Sequence, residues 1–180
     1  PRALRRAATR AMADERRHAF VTGHLARRFG GRPERPRVSA PALPSLTEFL
    51  ADNVVEGCVG ESYGALVALW QGARAGDASV RAAMRTLARD EARHASLAWM
   101  LLRWGAQRVD ARTRRALQGL VAEALKGLRE SAERRVDPAV ECTAGHPSPD
   151  VARVLFAQFE ALVLRWSHDA LAEVRTASTD

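Results

Sequence analysis

Two six-residue stretches carry the residue types from which a reactive centre can be built. They are Asp14-Glu15-Arg16-Arg17-His18-Ala19 and Asp90-Glu91-Ala92-Arg93-His94-Ala95, and both read Asp-Glu-x-Arg-His-Ala. Each sets a Glu and a His three residues apart, and on a helix residues i and i+3 share a face. A carboxylate beside an imidazole binds first-row metal ions, and two helices each presenting such a pair supply a large part of a dinuclear cage. A further carboxylate, Glu61, lies on the stripe Val54, Cys58, Glu61, Ala65, Ala68 of another predicted helix. Glu15, His18, Glu61, Glu91 and His94 are therefore the candidate ligands. Without a thiolate set they suit iron or manganese better than zinc. A carboxylate-bridged pair of ions takes about six protein ligands, so the source of a sixth is open.

Metal-bound His commonly donates its second ring N–H to a carboxylate. By the two-fold logic of the repeat, Asp90 is the candidate to support His18, and Asp14 to support His94. The plainer alternative is a surface Asp paired with a neighbouring Arg. Glu56 competes with Glu61 but falls off the stripe. Cys58, one turn before Glu61, reads as a small buried residue rather than a ligand. Thr22, one turn after His18, reads as bonding back to its own helix. Tyr63, the only Tyr, reads as packing, and His24, His146 and His168 have no partner spacing.

These residues need helices to hold them. The first is predicted over about 2–29, with the seam Leu4, Ala8, Ala11, Glu15, His18, Thr22, Leu25, Phe29 in alternating steps of four and three. That places Glu15 and His18 in a buried stripe. Gly30-Gly31 ends it, and a Pro-rich linker over about 30–45 is long enough to cross a bundle and join two helices running the same way. Ser45 and Glu48 form a capping box for a helix over about 46–75, in which Gly57, Gly60 and Gly64 point to close approach by another helix or to a ligand channel. Asp77 caps a helix over about 78–104, whose seam is apolar apart from Glu91 and His94. Asp110 caps a helix over about 111–134, residues 135–147 read as a loop, and Ser148-Pro149 opens a last helix to about 174.

The chain of 180 residues fits one all-α domain, with no apolar run of membrane-spanning length. It begins at Pro1 inside a helical pattern, reads as a piece of a longer polypeptide, and leaves its compartment unassigned. Cys58 and Cys142 form neither a metal-binding spacing nor a disulfide framework. The net charge of +7 is uneven: residues 1–37 hold eleven Arg against Asp14, Glu15 and Glu34. Such a basic head suits nucleic acid or an anionic surface, although a solvated Arg-rich helix face is the simpler reading. Only Phe20 and Phe29 interleave it with aromatics, which single-strand binders use.

The two Asp-Glu-x-Arg-His-Ala stretches, with Glu61 between them, resemble the ferritin-like di-iron carboxylate superfamily. In that family a first helix gives a Glu, a second gives Glu-x-x-His, a long crossover follows, a third gives a Glu and a fourth gives Glu-x-x-His. The resemblance covers residues 1–105, from the family's second helix onward; residues 106–180 would be two additional C-terminal helices. The family's first helix and its Glu have no counterpart here. The resemblance implies a ferritin-like bundle holding two iron ions, with O2 and iron or a small molecule as reactants, non-haem di-iron oxidoreductase chemistry, and a homo-oligomer as one form of assembly. A groove along Leu4, Ala8, Ala11 and Glu15 would then lie open, or be filled by one of the last two helices, bringing Glu123 or Glu160 to the site. The alternative is a metal-free bundle serving as a structural or nucleic-acid-binding module.

Overall fold

A computed structural model describes residues 1–34 and 42–172, and the described residues are helical throughout with short turns. α1 spans Arg2–Arg28 and ends where Gly30 takes a positive φ of 83°. The Ser45–Glu48 capping box opens α2, Leu46–Asp52, with both reciprocal bonds made. The chain then unwinds into a π-helix, Asn53–Glu61, before resuming as α3, Ser62–Arg74. Asp77 accepts from the Ser79 and Val80 amides to start α4, Ala78–Ala106. Asp110 likewise caps α5, Ala111–Ala132. A short α6, Pro138–Ala144, precedes α7, Pro149–Leu171, which is capped by Ser148.

Two elements depart from expectation. The segment 135–147 is not simply a loop: Asp137-Pro138 repeats the cap-and-proline signature of Ser148-Pro149 and nucleates α6. α6 braces the α3–α4 turn, with Gly76 N–H donating to Cys142 O and Asp77 N–H to Thr143 O. The second departure is the π-helix within what reads as one α-helix. Glycine lowers the cost of such a break, and at Gly57 it is required: a Cβ there would lie 2.7 Å from that of Ala98. Asn53 seals the same contact by donating to Ala98 O at 3.0 Å. Of the two readings of the glycines, Gly57 fulfils close helix approach.

The apolar core is built from α2 with the π-helix, α4, α5 and α7. Leu50, Val54, Leu102, Val121, Phe156 and Val163 are all at most 1% exposed. α5 and α7, expected as additions, are two of its walls. They run antiparallel, joined by Gln118 to Ser167 and Arg129 to Glu160. α1 contributes nothing to this core.

α1 packs chiefly on α4. Residue 14 meets 94 and residue 18 meets 90, so the two helices are antiparallel. α4 is also antiparallel to the preceding helix, because Gly72 meets Arg85 and Gly57 meets Ala98. α1 and α2–α3 therefore run the same way, the arrangement for which a crossover over about 30–45 was expected. Its residues 35–41 lie outside the described residues. The expected burial of the α1 seam needs correction: Asp14 and His18 are buried, whereas Ala8, Glu15, Thr22 and Phe29 are exposed. α1 presents to α4 the face centred on Asp14 and His18, and the Ala8–Glu15 side has no substantial neighbour among the described residues. Among these residues no helix is long and apolar enough to cross a membrane.

Candidate metal centre

The two repeats meet face to face. His18 Nε2 lies 3.1 Å from Asp90 Oδ2, and His94 Nε2 lies 3.3 Å from Asp14 Oδ2. Both contacts cross from one helix to the other, as the two-fold logic of the repeat requires. The rings themselves stand 5.6 Å apart between centroids. Each Nδ1 is thereby turned inward. That of His18 is 3.1 Å from Glu91 Oε1 and 3.5 Å from Glu15 Oε1. That of His94 is 3.0 Å from Glu15 Oε1 and 3.3 Å from Glu91 Oε2. Glu91 thus offers one oxygen to each imidazole, and a single oxygen of Glu15 faces both.

Glu61 enters from the end of the π-helix. One ligand atom from each of Glu15, Glu61, Glu91 and His94 lies within 4.8 Å of every other. His18 falls outside that group of four but touches it through Glu15 and Glu91. Glu61 belongs to the His94 half of the centre; no corresponding carboxylate from a third helix serves the His18 half among the described residues. Neither Glu123 nor Glu160 does so: Glu123 is exposed, and Glu160 is paired with Arg129. Glu15, at 56% side-chain exposure, marks the open side.

Two further residues belong to the arrangement and are not among the expected site residues. Arg17 holds Asp14 and Asp90 at 2.8 Å each. Arg93 holds the same two carboxylates, Asp14 at 3.1 Å and Asp90 more closely. The signal was the Arg at the fourth position of both repeats. Burial alone would raise the Asp14 carboxyl, but the bonds from Arg93, Arg17 and His94 outweigh it and hold the group near about 2. Asp90 is lowered as well: burial again acts upward and the bonds from His18, Arg93 and Arg17 overcome it. Both Asp are therefore acceptors for an imidazole Nε2–H, which leaves each Nδ1 facing the carboxylate cluster. Each of these carboxylates both contacts a His across the interface and pairs with Arg, and both are buried rather than at the surface, where the Arg-paired alternative would put them.

The cluster itself is charge-frustrated. Glu61 is pushed up to about 8, first by burial, then by its hydrogen bond to Glu91 and the nearby charges of Glu91, Glu15 and Glu56. His18 Nδ1 is buried without a hydrogen-bond partner, as is Glu91 Oε2. Buried polar atoms left unmatched are rare and costly, and here they converge on one point with a proton-retaining Glu beside them. This donor set of two imidazoles and three carboxylates fits a hard-to-borderline cation.

The competing residues lie elsewhere. Thr22 donates back to His18 O at 2.7 Å. Cys58 is buried, accepts from Asn53, and has its thiol pushed up to about 12 by burial. Tyr63 packs against Phe156 and Phe159 in the core. His24 and His168 are exposed, and His146 contacts Pro147 O. Glu56 is exposed one π-turn before Glu61. Comparison with known protein families, with curated proteins and with solved structures finds no match to this chain.

Proposed function

We propose that this chain is a ferritin-like dimetal protein, with Glu15, His18, Glu61, Glu91 and His94 as ligands and iron, or manganese, as the metal. The observation that carries the reading is the pair of inward-facing Nδ1 atoms, each backed by an Asp on the opposite helix and each facing Glu15 and Glu91. When bound, a pair of such ions would supply one-electron chemistry toward O2, for iron oxidation or for oxidation of an organic substrate. The protein's own part is positional and electrostatic. Asp14 and Asp90 fix the imidazole tautomers, and Arg17 and Arg93 keep those two Asp ionised. Glu91 spans both imidazoles as a bridging ligand would, and Glu61 holds a proton that a cation displaces.

The two halves of the centre are unequal on this reading. The His94 half has Glu61 as its own carboxylate, and the His18 half shares only Glu15 and Glu91. The first ion is expected at His94 and Glu61, and the second at lower affinity.

Anaerobic titration of the full chain with Fe(II), and separately with Mn(II), tests the proposal. Metal should raise the melting temperature; free metal at a hundred times Kd corresponds to about 2.7 kcal/mol. Glu91→Ala should remove the rise while leaving the metal-free protein unchanged or slightly more stable, because it deletes a charge from a frustrated cluster. No response to either metal, together with a loss of stability in Glu91→Ala, would instead identify a structural polar seam.

A further inference from the structure

A second feature borders the Glu/His centre and takes no part in it. A furrow of about 620 Å3 runs along α4 between α3 and α7. That volume lies within the range of small-molecule sites. Its inner end is floored by Ser62, Ala92 and Ala95, the chain neighbours of Glu61, Glu91 and His94. Only small side chains stand there between the furrow and the backbones that carry the candidate ligands.

Farther out the walls become large and apolar. Trp99 and Trp166 stack edge to face at 5.8 Å, with Phe159 and Leu162 beside them. Met100, Leu162 and Trp166 are 46, 38 and 39% exposed, so three of the molecule's exposed large apolar side chains gather on this one feature. Clustered exposure of this kind marks a binding surface rather than chance. From Ala92 to Arg103 the furrow follows α4 for eleven residues, roughly 16 Å at the helical rise. At its outer end stand Arg103 and Asp169, next to a recess that adds Gln107 and Arg114. Among the described residues the charged side chains lining that mouth are Arg103, Arg114 and Asp169; Arg114 is engaged with the carbonyls of Ala106 and Val109, so Arg103 is the cation that the furrow itself presents.

We infer that the furrow binds an amphipathic small molecule: an alkyl or aromatic body along Trp99, Leu162 and Trp166, and an anionic carboxylate head at Arg103. Its service as the substrate site of the neighbouring centre rests on the metal reading above; the binding does not. The inner end of the ligand lies against the helices that hold the centre, and the head stays in water, so one orientation is favoured.

The test uses the metal-free full chain and decanoate, followed by tryptophan fluorescence and calorimetry. Saturable binding is expected, with a fluorescence change reporting Trp99 and Trp166. Leu162→Glu, an exposed position that the core does not need, should abolish it. Arg103→Gln should weaken decanoate about tenfold, the effect of losing one charge-assisted hydrogen bond, and leave decanol unaffected. Equal binding of decanoate by the wild type and Leu162→Glu would overturn the site. Preference for decylammonium over decanoate would overturn the head assignment. A furrow occupied by a second copy, seen as a dimer that Leu162→Glu dissociates and decanoate does not, would overturn the small-molecule inference. Metal titration of the same variants separates the two ideas: Leu162→Glu should keep the full metal response, and decanoate binding should survive in Glu91→Ala.

Discussion

α4 has two faces that hold their neighbours by opposite means. Toward the core it offers Ala98, Leu102 and Ala106, which disappear among α5, α7 and the π-helix. Toward α1 it offers Asp90, Arg93 and His94, each paired across the interface. The first contact is non-directional, roughly proportional to buried apolar area, and tolerant of small shifts. The second is directional: Asp14 and Asp90 each accept from an Arg and face a His across the interface, and a displacement of one turn would leave buried charges unpaired. The difference teaches that α1 is a separable part. The four-walled core is the scaffold, and α1 is latched onto it by the residues that also shape the candidate centre. The apolar core and the candidate centre thus lie on different interfaces of one helix.

The largest expected effect comes from the core face. Phe156 is 1% exposed, and Phe156→Ala should cost about 3–5 kcal/mol. Denaturant unfolding should report that loss from probes in α1 and in α5 alike, because the latch has nothing to hold without its scaffold. Unchanged stability would mean that the core is not where the fold is held.

Next in size is the latch. Asp14→Asn combined with Asp90→Asn removes the two charges that hold two His and two Arg, and turns one oxygen at each position into an NH2 donor facing other donors. Amide exchange in α1 should rise to nearly unprotected rates, while amides of α5 and α7 keep their protection. Loss of protection throughout the chain would break the division between scaffold and latch.

The smallest effect is a pH dependence that separates the carboxylates. Glu61 has its pKa raised, from 4.5 to about 8, so the folded metal-free chain holds a proton there that the unfolded chain has released. This contribution to stability is complete below about 4.5 and is lost as pH rises through about 8. Asp14 is lowered to about 2, so its contribution is present above its ordinary value of 3.8 and vanishes only as pH falls through about 2. Melting temperatures of the metal-free protein should therefore decline from mildly acidic to mildly alkaline pH, and Glu61→Gln should flatten that decline. A flat wild-type profile would show that Glu61 is solvated rather than held in the cluster.

Particular residues show how much was legible beforehand. The spacing of Glu15 with His18 and of Glu91 with His94 is a property of one helical turn, and so is readable from the chain. The crossed Asp–His contacts followed from the repeat itself. Arg17 and Arg93 were visible as repeated letters, but nothing local says that one guanidinium will span Asp residues on two helices. The exposure of Glu15 was not legible either, because a heptad pattern marks a stripe as able to be buried without supplying the neighbour that buries it. The function of α5 and α7 as core walls was hidden for the same reason: an apolar face does not name its partner.

Helix starts and stops were determined locally. Ser45 with Glu48, Asp77, Asp110 and Ser148-Pro149 each satisfy amides within a turn of themselves, and Gly30 ends α1 by a backbone angle open to glycine. Such choices compare states of a few neighbouring residues, so the chain alone decides them. The antiparallel seating of α1 on α4, the unwinding of Asn53–Glu61 against Ala98, and the proton retained by Glu61 compare states of residues far apart in the chain. Those depend on which surfaces are brought within van der Waals contact and on how much water is excluded there, and only the tertiary structure decided them.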